Sequence, residues 1–172
     1  MVEIDKQSAF AQKLAGYSPI AWEQIPDLGL YMDQVVTFID RQCKGLYAEG
    51  ERIFTPAMVN NYVKLGLVDR PKGKKYAREA LAQLLMICVL KQAASAEGMK
   101  RLVKPRDDET LETVYRHFCA LQTETFTSLS RELPLPSPMT CAVRNAAYRF
   151  LCNAILNKDQ PSAPAAKAEG EA

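Results

Sequence analysis

Asn60, Asn61 and Lys64 are the residues of this chain whose types and spacing best fit recognition chemistry. With about 3.6 residues per helical turn, they would share one side of a helix with Ala57. That side is small and polar and carries no acid. An asparagine amide can pair bidentately with N6 and N7 of adenine in the major groove. A neighbouring lysine adds salt-sensitive attraction to phosphate that does not depend on base sequence. Shortly after, Arg70, Lys72, Lys74 and Lys75 crowd around Pro71 and Gly73, and Arg78 follows. Thr55, Tyr62 and Tyr76 could add hydroxyl hydrogen bonds to a phosphate backbone. Double-stranded DNA is the expected partner. Each feature also has a plain structural reading. The polar face could simply be solvated, the lysine turn could be a solubilising loop, Tyr62 fits core or phosphate equally, and Tyr76 fits a packing residue better.

Other chemistry finds little to work with. His117 is the only histidine, and there is no CxxC pair, no phosphate-cradling glycine loop and no Ser/His/Asp set. The expectation is a protein that is not an enzyme and holds no metal or cofactor. Asp107-Asp108-Glu109 reads as the acidic first turn of a helix, favourable to its dipole, rather than as a metal site. The aromatic stripe Tyr115, Phe118 and Phe126 reads as core or dimer seam sooner than as an effector pocket.

Charge is distributed unevenly. Between Asn60 and Lys104 ten basic residues face three acids, a surplus of seven, although the whole chain carries only +2. A locally basic stretch of this kind suits a polyanion. The 172 residues are 48% hydrophobic and 24% charged, a balance that supports a buried core. Five scattered cysteines (Cys43, Cys88, Cys119, Cys141, Cys152) read as reduced thiols used as small core residues. With no charged-then-apolar leader at Met1-Val2-Glu3-Ile4 and no apolar run near the roughly 20 residues of a membrane span, a cytoplasmic protein without membrane contact is expected.

The elements that must position the polar face are legible in part. Tyr31, Val35, Phe38, Ile39 and Cys43 recur at helical spacing. Thr55-Pro56 is a helix start: the threonine oxygen can accept from first-turn amides, and proline fits the first helical position. Gly66 is a stop, suited to the left-handed conformation past the last turn. The helix between them, 56–65, has Val59, Tyr62 and Val63 as its apolar side. Leu67-Val68 and Tyr76 flank Asp69–Lys75 and could pair briefly as a hairpin. The next helix, about Arg78 to Gln92, is apolar nearly all round, as befits the centre of a domain. Ser95 should cap a short helix with Met99 and Leu102. A long helix from about 108 to 132 follows, then one capped by Thr140 that runs to about 157.

The order helix, capped helix, basic hairpin, apolar helix is that of a winged helix-turn-helix, and the residues carry a resemblance as well. Thr55-Pro56-Ala57-Met58-Val59-Asn60-Asn61-Tyr62-Val63-Lys64-Leu65-Gly66, then Lys74-Lys75-Tyr76-Ala77-Arg78 and Ser95-Ala96-Glu97-Gly98-Met99, resemble MerR-type regulators. Pro26-Asp27-Leu28-Gly29-Leu30-Tyr31-Met32-Asp33, together with Asn60-Asn61-Tyr62-Val63-Lys64, resembles an uncharacterised bacterial family, domain of unknown function 1836. The resemblance implies a mainly α, MerR-like winged helix-turn-helix with a short β-hairpin wing, followed by a C-terminal helical pair. It also implies a recognition helix at 56–65, a wing at 70–76 on the DNA backbone, and a dimer joined through C-terminal helices. Asn60 and Asn61 stand where MerR-type regulators usually have Arg-Tyr. Lys74 stands for their wing arginine and lacks its planar fork.

The expected organisation is a weakly patterned segment over 1–25, a winged helix-turn-helix domain over 26–105, dimerisation or effector helices over 106–157, and a disordered tail over 158–172. The expected role is a homodimeric, DNA-binding transcriptional regulator with no assignable small-molecule effector. The alternative is a non-enzymatic protein-interaction module that retains the fold without specific DNA binding.

Overall fold

A computed structural model describes residues 2–47, 53–129, 131–132 and 136–158. Its α-helices are α1 (Val2–Ala15), α2 (Met32–Cys43), α3 (Pro56–Lys64), α4 (Arg78–Leu90), α5 (Ala96–Val103), α6 (Leu111–Leu129) and α7 (Pro138–Lys158). The expected tail, beyond a still-helical Lys158, lies outside the described residues. No helix of the described residues is long and apolar enough to cross a membrane.

The core is built around α4, and its sequence explains why. All residues from Ala80 to Cys88 are buried, so α4 has no face left for solvent and must be covered on every side. Helices α2, α5 and α6 pack on it, α3 packs on α2, and α1 packs on α6. Trp22 and Ile25 join this core. So does Tyr115 of α6, whose hydroxyl donates to the Ile20 carbonyl at 2.8 Å. Its ring lies 5.9 Å from that of Trp22. Cys43 and Cys88 are buried free thiols in the same core, whereas Cys141 is exposed.

The local start and stop signals around α3 act as read. Thr55 Oγ1 accepts from the Met58 amide at 3.2 Å, with Pro56 in the first turn. Gly66 sits at φ +71°, and its amide and that of Leu67 donate back to Val63 and Tyr62 carbonyls. That paired return closes the helix in a Schellman motif. Ser95 caps α5 through the Gly98 amide. Two helix starts differ from expectation. Asp107-Asp108-Glu109 precedes α6 rather than forming its first turn, with Thr110 accepting from the Thr113 amide. Ser137, in place of Thr140, caps α7 through the Thr140 amide.

The expected β-hairpin wing is not there. The described residues contain no strand, only two isolated bridges, Lys72 with Lys75 and Leu30 with Tyr76; the mainly α reading holds, and the winged one is corrected. The reason is local. Leu67 and Val68 amides both donate to the Tyr62 carbonyl, so this flank is spent on closing α3, and both side chains are buried. Pro71 has no N–H to offer a ladder. Tyr76 pairs instead with Leu30, through reciprocal bonds of 2.8 and 2.9 Å. What stands at the expected wing is a tight, lysine-bearing turn.

Candidate nucleic-acid interface

α3 divides as its sequence implied. Val59 is buried and Met58, Tyr62 and Val63 are half-buried, while Ala57, Asn60, Asn61 and Lys64 are exposed. The exposed four cover about 100° of arc. Thr55 is spent on the cap. Tyr62 is turned inward, with its ring edge-on to Phe54 at 5.8 Å between centroids. Burial pushes its phenol above the ordinary range. The two asparagines and Lys64 are therefore the free polar groups the helix presents, next to no acid of its own.

The lysine turn is held at both ends. Lys72 and Lys75 exchange backbone hydrogen bonds of 2.9 and 3.0 Å around Gly73 and Lys74. Gly73 and Lys74 both have positive φ, 56° and 66°. Two successive left-handed residues define a type I′ turn, which asparagine and glycine occupy at lower cost than lysine. On one side the Asp69 amide donates to Gln83 Oε1 at 2.8 Å. Gln83 lies on α4 and is buried. On the other side the Leu30–Tyr76 bridge fastens the exit. Gly29, at φ +71°, runs so close to the turn that a Cβ there would lie 3.2 Å from Lys75 Cβ. Arg70, Lys72, Lys74 and Lys75 are all exposed on this frame.

The remaining sequence-derived candidates do other work. Tyr76 is buried, and desolvation raises its phenol pKa. Arg78 is drawn into the fold: Nε donates to the Ile25 carbonyl at 3.0 Å, the guanidinium meets Asp27 at 3.4 Å, and it lies over the Trp22 ring at 5.8 Å. Sequence reasoning missed three contributors. Gln83 fixes the turn. Tyr31, at the α2 start, lies beneath the Lys75 ammonium at 5.2 Å, which holds that cation by a cation–π contact. Lys100 of α5 reaches the α3 stop, its ammonium 3.6 Å from where a Cβ on Gly66 would sit. Lys104, just past the end of α5, is instead paired with Asp69.

A turn whose backbone is held at both ends and which exposes four cations can attract a phosphate backbone at a reduced ordering cost. The family model described as domain of unknown function (DUF1836) matches residues 20–118, a span that contains α2 to α5, the lysine turn and the first turns of α6. No curated protein matches the chain, and no solved structure matches it.

Proposed function

We propose that the chain, which belongs to the DUF1836 family, is a non-enzymatic DNA-binding protein that acts in transcriptional regulation. The face Ala57, Asn60, Asn61 and Lys64 meets base edges in the major groove, and the turn 70–75 meets the adjacent backbone. The MerR-type likeness of these segments belongs to this proposal, with a rigid turn in place of paired strands. One observation carries the reading. The turn spends a left-handed lysine, Lys74, where the backbone favours glycine or asparagine, and points it at solvent among three other cations. Strain retained at an exposed charged position is accounted for by use of the charge.

The test is fluorescence anisotropy of labelled duplexes over a salt series. Replacing Lys72, Lys74 and Lys75 together with alanine should weaken binding to all sequences alike and flatten the salt dependence, by about 0.9 in log–log slope per lost phosphate contact. Asn60→Ala should instead narrow the difference between preferred and random duplexes. No salt-dependent binding at low ionic strength would overturn the proposal.

A further inference from the structure

A second group of cations lies where α5, α6 and the loop joining them border a cleft of about 390 Å³. Arg101, Lys104 and Arg106 line it, with one carboxylate, Glu109. So does His117 of α6, the only histidine of the chain. The apolar wall is Leu102 and Val114, both half-buried and packed on the core. This volume, and a firm apolar wall beside a few charged groups, suit a small-molecule site.

The cations are held in place. The Arg101 guanidinium donates to the Leu156 carbonyl of α7, a neutral partner that anchors the side chain without offsetting its charge. Lys104 is tied to Asp69 at the entry of the lysine turn. Arg106 sits in a closed loop: its amide donates to Glu109 Oε2 at 3.3 Å, and its carbonyl accepts from the Glu109 amide at 2.9 Å. Groups ordered in advance lose less freedom when a ligand arrives.

We propose that this cleft binds a small phosphate monoester, its phosphate among Arg101, Lys104, Arg106 and His117 and its organic part on Leu102 and Val114. Charge selects this ligand class. With His117 protonated, four cations among these residues stand against two carboxylates, Glu109 in the cleft and Asp69 on Lys104. The surplus of two matches a monoester phosphate near neutral pH, about −1.5 to −2. A monocarboxylate would leave part of it unbalanced. The two guanidinium groups also suit phosphate oxygens, which they can engage bidentately. A DNA duplex is too broad to enter a recess of this volume, so its phosphates would meet only the rim. The site uses none of the residues assigned to DNA and does not rest on that reading.

The test is proton NMR of the full chain without DNA, where a single histidine gives one imidazole Hε1 signal to follow. Phenyl phosphate at neutral pH should move that signal saturably toward its protonated position, because a neighbouring anion favours the imidazolium. Sodium chloride at equal ionic strength should not. Inorganic phosphate, which has nothing to place on Leu102 and Val114, should bind about tenfold more weakly. Arg106→Ala should weaken phenyl phosphate binding at least about tenfold. Thr113→Glu is the second variant. It puts a carboxylate in the cleft, yet a glutamate three residues after the Thr110 cap completes a capping box, so α6 keeps its start. It too should weaken binding at least about tenfold through like-charge repulsion. No saturable shift with phenyl phosphate, equal affinity for inorganic phosphate, or undiminished binding in either variant would overturn the proposal. A shift produced by a duplex oligonucleotide and not by phenyl phosphate would also overturn it, and would make the cleft part of a nucleic-acid surface. DNA binding is measured separately, so either reading can fail alone.

Discussion

Replacing Lys74 with glycine separates what the lysine turn costs from what it does. Lys74 has φ 66°, and no other described residue apart from glycines has positive φ. A left-handed conformation costs an L-residue roughly 1–2 kcal/mol. Glycine escapes that penalty but loses about 0.5–1 kcal/mol through its larger backbone entropy in the unfolded chain. The net expectation for Lys74→Gly is a stabilisation of about 0.5–1 kcal/mol, or on the order of 2 °C in Tm for a chain of this size. The same change removes one cation from the turn and should lower the slope of log affinity against log salt by about 0.9. Lys72→Ala is the companion. It removes an equal charge from a position with ordinary backbone, so it should weaken DNA binding without the gain in stability. Urea unfolding and anisotropy titrations, run on both variants, give the two quantities independently. If Lys74→Gly is no more stable than the wild type, the strain argument fails. A more stable variant that binds DNA as strongly, with an unchanged salt slope, would show that the strained lysine is not there for phosphate.

Two further outcomes follow from buried groups. Gln83→Leu keeps the volume inside α4 but removes the acceptor of the Asp69 amide; it should cost about 1–3 kcal/mol in urea unfolding and weaken DNA binding by loosening the turn, and an unchanged stability would count against Gln83 as its anchor. Tyr17, Tyr47 and Tyr115 all have phenol pKa values raised, chiefly by burial. A raised folded-state pKa means that their contribution is intact below the unfolded value near 10 and is lost as pH climbs above it. Alkaline titration followed at the tyrosinate absorbance should therefore show these three ionising only with unfolding, and reversible ionisation of all seven tyrosines in the folded chain would refute it.

What was legible in the sequence was what a few adjacent residues decide. Thr55-Pro56 and Gly66 bound α3 because a cap oxygen, a fixed φ and a left-handed glycine act within one turn of the chain. The apolar composition of 78–90 placed α4 at the centre because no other location could cover it. The wing was misread because strand pairing is a question of partners. Leu67 and Val68 had the right composition, but the Tyr62 carbonyl takes both their amides, and the partner that Tyr76 found, Leu30, lies 46 positions away. Ser137-Pro138 repeats the Thr55-Pro56 signal and marks the α7 start in the same way. α1 gave little pattern, and the elements it packs on, α6 and the turn Lys44–Leu46, are both distant from it in sequence.

The candidate interface divides along the same line. The groups that would touch a ligand, Asn60, Asn61, Lys64 and the turn lysines, were readable from type and spacing, because exposure of a polar helix face follows from burial of the opposite one. The groups that hold them were not. Gln83 looks like any glutamine in a helix until its carbonyl oxygen is seen beneath the Asp69 amide, and Tyr31 looks like a helix-start aromatic until Lys75 lies across it. Arg78 shows the converse. By sequence it extends the basic run, yet the Ile25 carbonyl, Asp27 and Trp22 all engage it, so it ties the lysine turn to the segment before α2. A basic run read from sequence thus contains two populations, cations that face solvent and cations that brace the frame. Only the first group should shift the salt dependence of DNA binding, and Arg78 belongs to the second.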